Sequence, residues 1–202
     1  MNNKYVNRAK ISEAKFRELV RFFAIDLTAT QIAGIIGLNR NTVNRYLSEI
    51  RKKISAHSDQ SAPTGLSIRD EGTNDTNLTL LLLIKAIKAG VYTEIVSANN
   101  INGDSDEKLD VLYRHQADIC INLETEKQTV AKYEHESPDE HRRKVNRIEN
   151  FWGMSKSRLA KFKGIHPTSY RNHLKECEFR YNNRNENLYL LLLKILRKDP
   201  LF

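Results

Sequence analysis

The sequence predicts an α/β (α+β) protein: an N-terminal helix-turn-helix domain of three helices, then a small mixed domain that ends in helices. Three observations carry this. Apolar residues recur at helical spacing from Ile11 to about Ile54, around a turn built on small residues. In the middle, a leucine-rich run is followed by the alternating segment VYTEIV. From about Pro138 onward the apolar spacing is helical again. The implied organisation is a helix-turn-helix domain over 1–56, a linker over 57–67 and a second domain over 68–202. The linker reading rests on the polar stretch HSDQSAPTGLS, with Pro63 and Gly65.

In the first domain, Phe16, Leu19, Val20 and Phe23 mark one helix. Thr28 opens a second, with Gln31 at capping-box spacing. Asn39 caps a third, running Asn41 to Lys53. In the second domain, Leu78 to Ile87 and Val91 to Val96 resemble a hairpin joined at Lys88 to Gly90. The leucine-rich half suits a buried helix as well as a buried strand. Ser105 to Gln116 reads as a helix and Ile119 to Leu123 as a short buried strand. Beyond Pro138, one helix carries Ile148, Phe151, Trp152, Leu159 and Phe162. Another carries Tyr170, Leu174, Cys177 and Tyr181, and a last one runs from about Asn187 to Pro200.

The net charge is +8, unevenly spread. Lys and Arg against Asp and Glu number 11 against 5 in residues 1–60, 7 against 13 in 61–136, and 15 against 7 in 137–202. Two basic ends therefore flank an acidic middle, which favours nucleic acid as a partner. No apolar run approaches the roughly 20 residues of a membrane span, and the N-terminus has no signal-peptide core. The expected location is the cytoplasm of the cell that makes it, with no membrane partner. Two distant cysteines, Cys120 and Cys177, form no disulfide framework, and His135 and His141 read as surface histidines.

The spacing around Ala33 points to duplex DNA. A helix-turn-helix needs a small residue where its helices cross, here Ala33. It needs a residue tolerant of positive φ four positions later, here Gly37, and an apolar anchor on the second helix, here Val43. That helix then turns Arg40, Asn41, Asn44, Arg45 and Ser48 outward, all types that contact base edges or phosphates. Arg51, Lys52 and Lys53 extend the basic face.

Two long stretches, KVNRIENFWGMSKSRLAKFKGI and HLKECEFRYNNRNENLYLLLLKIL, resemble the C-terminal part of bacterial insertion-sequence transposases of the ISXO type. FFAIDLTATQIAGIIGLNRNTVNRYL resembles their N-terminal helix-turn-helix, and VYTEIV one of their strands. The resemblance implies an RNase H-like (retroviral-integrase-like) second domain, shortened in its middle. It implies three acids, the DDE set, holding two Mg2+ (or Mn2+) ions for phosphodiester cleavage and rejoining. On this resemblance Glu149 is the final acid and Lys156 the lysine seven residues on. Seven residues are close to two turns, so both share a face with Gly153 and Ala160. Asp70, in Asp70-Glu71 after Gly65, matches the first acid, so Asp70 and Glu149 are the metal ligands the resemblance supplies. The family's Asp-Gly-Trp is absent. The second acid falls to Glu124 at the end of the strand, with Asp118 at its beginning as the alternative.

Two functions follow. One is a DNA transposase that binds element ends, as a homo-oligomer on paired ends, and cuts and rejoins them. The other is a non-catalytic DNA-binding remnant or regulator derived from such an enzyme. A recoverable third carboxylate separates them.

Overall fold

Each helix of the N-terminal segment starts and stops where its own residues cap it. The computed structural model describes residues 3–8, 10–62, 78–99, 105–161 and 167–202. Ser12 opens α1 (Glu13–Ala24) by accepting from the Lys15 backbone N–H. Thr28 and Gln31 form a reciprocal capping box on α2 (Ala29–Ile36). Gly37 stops α2 at φ 63° and ψ 46°, its N–H returning to the Ala33 carbonyl. Nothing lies within 4 Å of the place a Cβ would occupy there. Glycine is needed for the left-handed backbone and not for space. Asn39 Oδ1 then accepts from the Asn41 N–H at 2.8 Å, and α3 (Arg40–Ser61) begins. Residues 57–61, expected in a linker, continue this helix; residues 63–67 of that linker lie outside the described residues.

The chain forms two compact units, Met1–Gln60 with Asn183–Phe202, and Ser61–Asn182. The first unit therefore draws on both ends of the sequence, which differs from the division at 56 and 68. Its core holds Phe16, Leu19, Val20 and Phe23 of α1, Ile32 and Ile36 of α2, and Val43, Leu47, Ile50 and Ile54 of α3. α7 (Leu188–Lys198), capped by Asn187, packs on α1 and buries Leu192, Leu193 and Leu196. Beyond α7 the chain pairs with the N-terminal segment. Leu201 donates to the Tyr5 carbonyl and accepts from the Asn7 N–H, both at 2.9 Å, a parallel bridge centred on Val6 and Leu201.

The second unit is built on a four-stranded sheet of order β2-β1-β3-β4. Its strands are β1 (Leu78–Ile87), β2 (Gly90–Asn99), β3 (Ile119–Asn122) and β4 (Gln128–Val130). All neighbours are antiparallel. The leucine-rich run is thus a strand, and the expected hairpin forms, Ile87 pairing with Gly90. Lys88 takes φ 53° in the two-residue turn. The run is leucine-rich and not alternating because both faces of β1 are covered. Leu82 and Ile84 face a cluster with Phe151 and Trp152 of α5 (Pro138–Leu159) and Leu174 of α6 (Pro167–Asn182). Leu81 and Leu83 face Leu112 of α4 (Ser105–Arg114) on the other side. Phe162, expected on the stripe of α5, lies outside the described residues.

The sheet edge at β2 is covered by side chains of α6. Glu178 Oε2 accepts from Thr93 N–H at 2.8 Å and from Thr93 Oγ1 at 2.7 Å. Asn182 bonds both the N–H and the carbonyl of Val91 at 2.8 Å. These contacts occupy backbone groups that an open edge would offer another chain. β1 is hydrogen-bonded on both sides, by β2 and by β3, so no further strand can enter between them.

Candidate nucleic-acid interface

Helix α3 is amphipathic along its first turns, and its two faces have different roles. Val43, Tyr46, Leu47 and Ile50 are buried, and Tyr46 meets Phe16 of α1 edge-on, ring centres 5.7 Å apart. Ala33 on α2 is 8% exposed, the small residue a close helix crossing requires. Arg40, Asn41, Asn44, Arg45 and Ser48 are all exposed. No hydrogen bond or ion pair holds any of these five side chains among the described residues. Their donors and acceptors face solvent and are available to a base edge or a phosphate.

The expected basic extension divides three ways. Lys52 is exposed and pairs with Glu49 at 2.7 Å. Lys53 is partly covered and pairs with Asp199. Arg51 is 8% exposed, with its guanidinium 5.7 Å from the centre of the Phe23 ring. Arg51 is therefore a packing group of the first unit, not part of the outward face. It lies four residues beyond Leu47, on the buried side of a 3.6-residue period. Arg45 has an aromatic neighbour that no local pattern reveals: its Cζ lies 4.2 Å from the centre of the Phe202 ring.

In the second unit the described candidate acids, Glu149, Glu124 and Asp118, do not form one group. Asp70 lies outside the described residues. Glu149 is exposed on α5, in a stripe with Gly153, Lys156 and Ala160, all exposed, so the shared face inferred from spacing is present. Lys156 pairs with Glu126 Oε2 at 3.3 Å and lies 5.9 Å from the Trp152 ring. The acid paired with the lysine is Glu126 in the β3–β4 turn, which the sequence does not single out. Glu124 is exposed in the β3–β4 turn, where Asn122 Oδ1 accepts from the N–H groups of Glu124 and Thr125, both at 2.9 Å. Asn122, at the end of β3, went unnoticed in sequence because an amide does not read as a metal ligand. Among the described residues no three His, Cys, Asp or Glu side chains are arranged to hold a metal ion.

Asp118, the alternative acid, is committed to the sheet. Its Oδ2 accepts from Ala86 N–H at 2.7 Å, and Lys144 Nζ lies 3.9 Å from Oδ1. Burial raises its carboxyl above the ordinary aspartate range, against the pull of the Ala86 N–H and Lys144. Glu136 stands nearby, its Oε1 ion-paired with Lys144 at 2.7 Å and its Oε2 bonded to His141 Nδ1 at 3.1 Å. Burial pushes it up, but Lys144 and His141 together outweigh burial and hold it below the usual range. Both cysteines are buried free thiols, and burial pushes Cys120 up to about 11.

Comparison with known proteins agrees with the N-terminal geometry. The family of bacterial regulatory proteins, luxR family, matches residues 17–64, the helix-turn-helix segment. An uncharacterized transposase-like protein of Haemophilus influenzae is 42% identical over 57 residues, 28% of this chain and 46% of that protein. The match thus spans about half the length of that curated relative. No solved structure matches the chain. Among the described residues no helix is long and apolar enough to cross a membrane. The first unit carries a DNA-binding helix-turn-helix, and the chain is similar in part to a transposase-like protein.

Proposed function

We propose that this chain is a transposase-derived protein that binds the ends of a mobile element sequence-specifically through the outward face of α3. One observation carries this reading: five polar side chains, Arg40, Asn41, Asn44, Arg45 and Ser48, are exposed and hold no hydrogen bond or ion pair among the described residues, on a helix whose other face is buried. Lys52 supplies a phosphate contact once it leaves Glu49. A bacterial nucleoid is the setting, and an oligomer on paired ends the working form. The test is selection of a preferred duplex from a random-sequence library, then gel-shift titration at two salt concentrations. Asn44→Ala should cost about 1–3 kcal/mol of discrimination, and Lys52→Ala should lower the salt slope by about one. Unchanged affinity in a folded Arg40→Ala/Arg45→Ala protein would remove α3 from the interface.

A second reading is strand cleavage and rejoining by an ISXO-type, RNase H-like domain with magnesium or manganese. The similarity to a transposase-like protein and the Glu149–Lys156 stripe favour it. The described residues do not fit a two-metal site. Among them, neither Glu149 nor Glu124 belongs to a group of three His, Cys, Asp or Glu side chains that could hold a metal ion, and Asp70 lies outside the described residues. Nicking of the selected duplex that requires magnesium, and is lost in Glu149→Gln with binding retained, would establish this reading over the first.

A further inference from the structure

Phe202 sits in the first unit far from α3 in sequence and directly under it in space. Its ring centre is 4.2 Å from Arg45 Cζ and 5.9 Å from the Tyr46 ring, which meets it edge-on at 64°. The backbone around it is held on both sides. Leu201 is fully buried and paired with Tyr5 and Asn7, and Asn7 Nδ2 donates to the Phe202 carbonyl at 2.8 Å. Phe202 itself is 48% exposed, so its ring forms an anchored shelf and not part of the core. A guanidinium stacked on an aromatic face keeps its N–H donors in its own plane, free to point outward.

From this geometry we infer that Phe202 is a positioning residue for DNA reading. It holds the Arg45 guanidinium flat, with its donor edge presented to a guanine or a phosphate. An unsupported arginine must lose its side-chain freedom on binding, and a shelf that restricts it beforehand removes part of that cost. The inference rests on the α3 reading above, and the experiment separates the two.

The full chain is compared with Phe202→Leu, Phe202→Trp, Arg45→Ala and Arg45→Ala/Phe202→Leu. The probes are the duplex selected by the wild-type chain and a scrambled duplex of equal length and composition. The readout is the ratio of the two Kd values, with thermal denaturation confirming that each variant is folded. Leucine keeps the apolar contact and removes the ring. Phe202→Leu should lower the ratio roughly three- to tenfold, Phe202→Trp should retain it, and Phe202→Leu should cost nothing further once Arg45 is alanine. A ratio unchanged or increased by Phe202→Leu, or lowered equally in the Arg45→Ala background, overturns the inference. If Arg45→Ala lowers the ratio and Phe202→Leu does not, only the inference fails, as it does if Arg45→Ala is silent; the reading by α3 fails with it only if Arg40→Ala/Arg45→Ala is silent too.

Discussion

Helices α3 and α6 are both rich in charge, yet they place it in opposite ways. α3 leaves Arg40 and Arg45 exposed and buries Val43, Leu47 and Ile50. α6 buries Lys175, Glu176 and Glu178 along with Leu174 and Cys177. Glu178 there meets Lys175 at 3.1 Å, and Glu176 pairs with Arg180 at 2.9 Å and with Arg158 of α5. The first turns of α3 leave their polar groups facing solvent; α6 commits its charges to its own unit. A charged residue is therefore evidence of binding only where its partner side is empty. Buried pairs of this kind contribute less by their attraction than they cost when one member is lost.

The sharpest way to break this comparison is Glu178→Ala. Thr93 would lose the acceptor for both its N–H and its hydroxyl, in a site closed to water. The expected loss is about 3 kcal/mol of stability, read by urea denaturation, with DNA discrimination by the folded fraction unchanged. Arg51→Ala should cost about 1–2 kcal/mol through lost packing on Phe23 and leave the salt slope intact. Lys52→Ala, one residue on, should do the reverse. If Arg51→Ala instead lowers the salt slope by about one, the division of α3 into faces is drawn in the wrong place. Gly37→Ala should destabilise the first unit by roughly 1 kcal/mol, because alanine must take φ 63°.

The smallest effect is a titration. The Asp118 carboxyl lies above its ordinary range in the fold, so the folded state holds its proton more tightly than the unfolded chain. Its charged form is a cost at neutral pH, relieved as pH falls through the raised value. Asp118→Asn should remove that relief. Stability of the wild type relative to the variant should rise on acidification through that window, and a flat difference would mean the Ala86 hydrogen bond offsets burial fully.

Much of the first unit was legible because its signals are local. Thr28 with Gln31, and Ala33 with Gly37 and Val43, lie within a few residues of each other and specify caps and a turn directly. Basic character alone assigns Arg51 to the outward face, yet four residues beyond Leu47 it falls on the buried side of the helix. The leucine-rich run left helix and strand open, since burial on both faces erases alternation; only the pairing with β2 and β3 decides it. Short β4 carries too few residues for a pattern. The capping of Val91 and Thr93 by α6, the seating of α7 on α1 and the Phe202 shelf all join residues distant in sequence, where no periodicity points. The candidate acids were carried by resemblance, and resemblance did not reveal that Asp118 and Asn122 are occupied with backbone hydrogen bonds.

The pairing of Leu201 with Tyr5 and Asn7 also sets a clock on synthesis. A ribosome delivers α1 to α3 early and Leu201 late, on the order of ten seconds apart at ordinary elongation rates. Through that interval the face of α1 that receives α7 is uncovered, and Arg45 has no ring beneath it. A nascent chain should thus acquire a grip on DNA before it acquires selectivity. Chains arrested ahead of α7 should bind selected and scrambled duplexes more nearly alike than chains that carry α7 and Phe202.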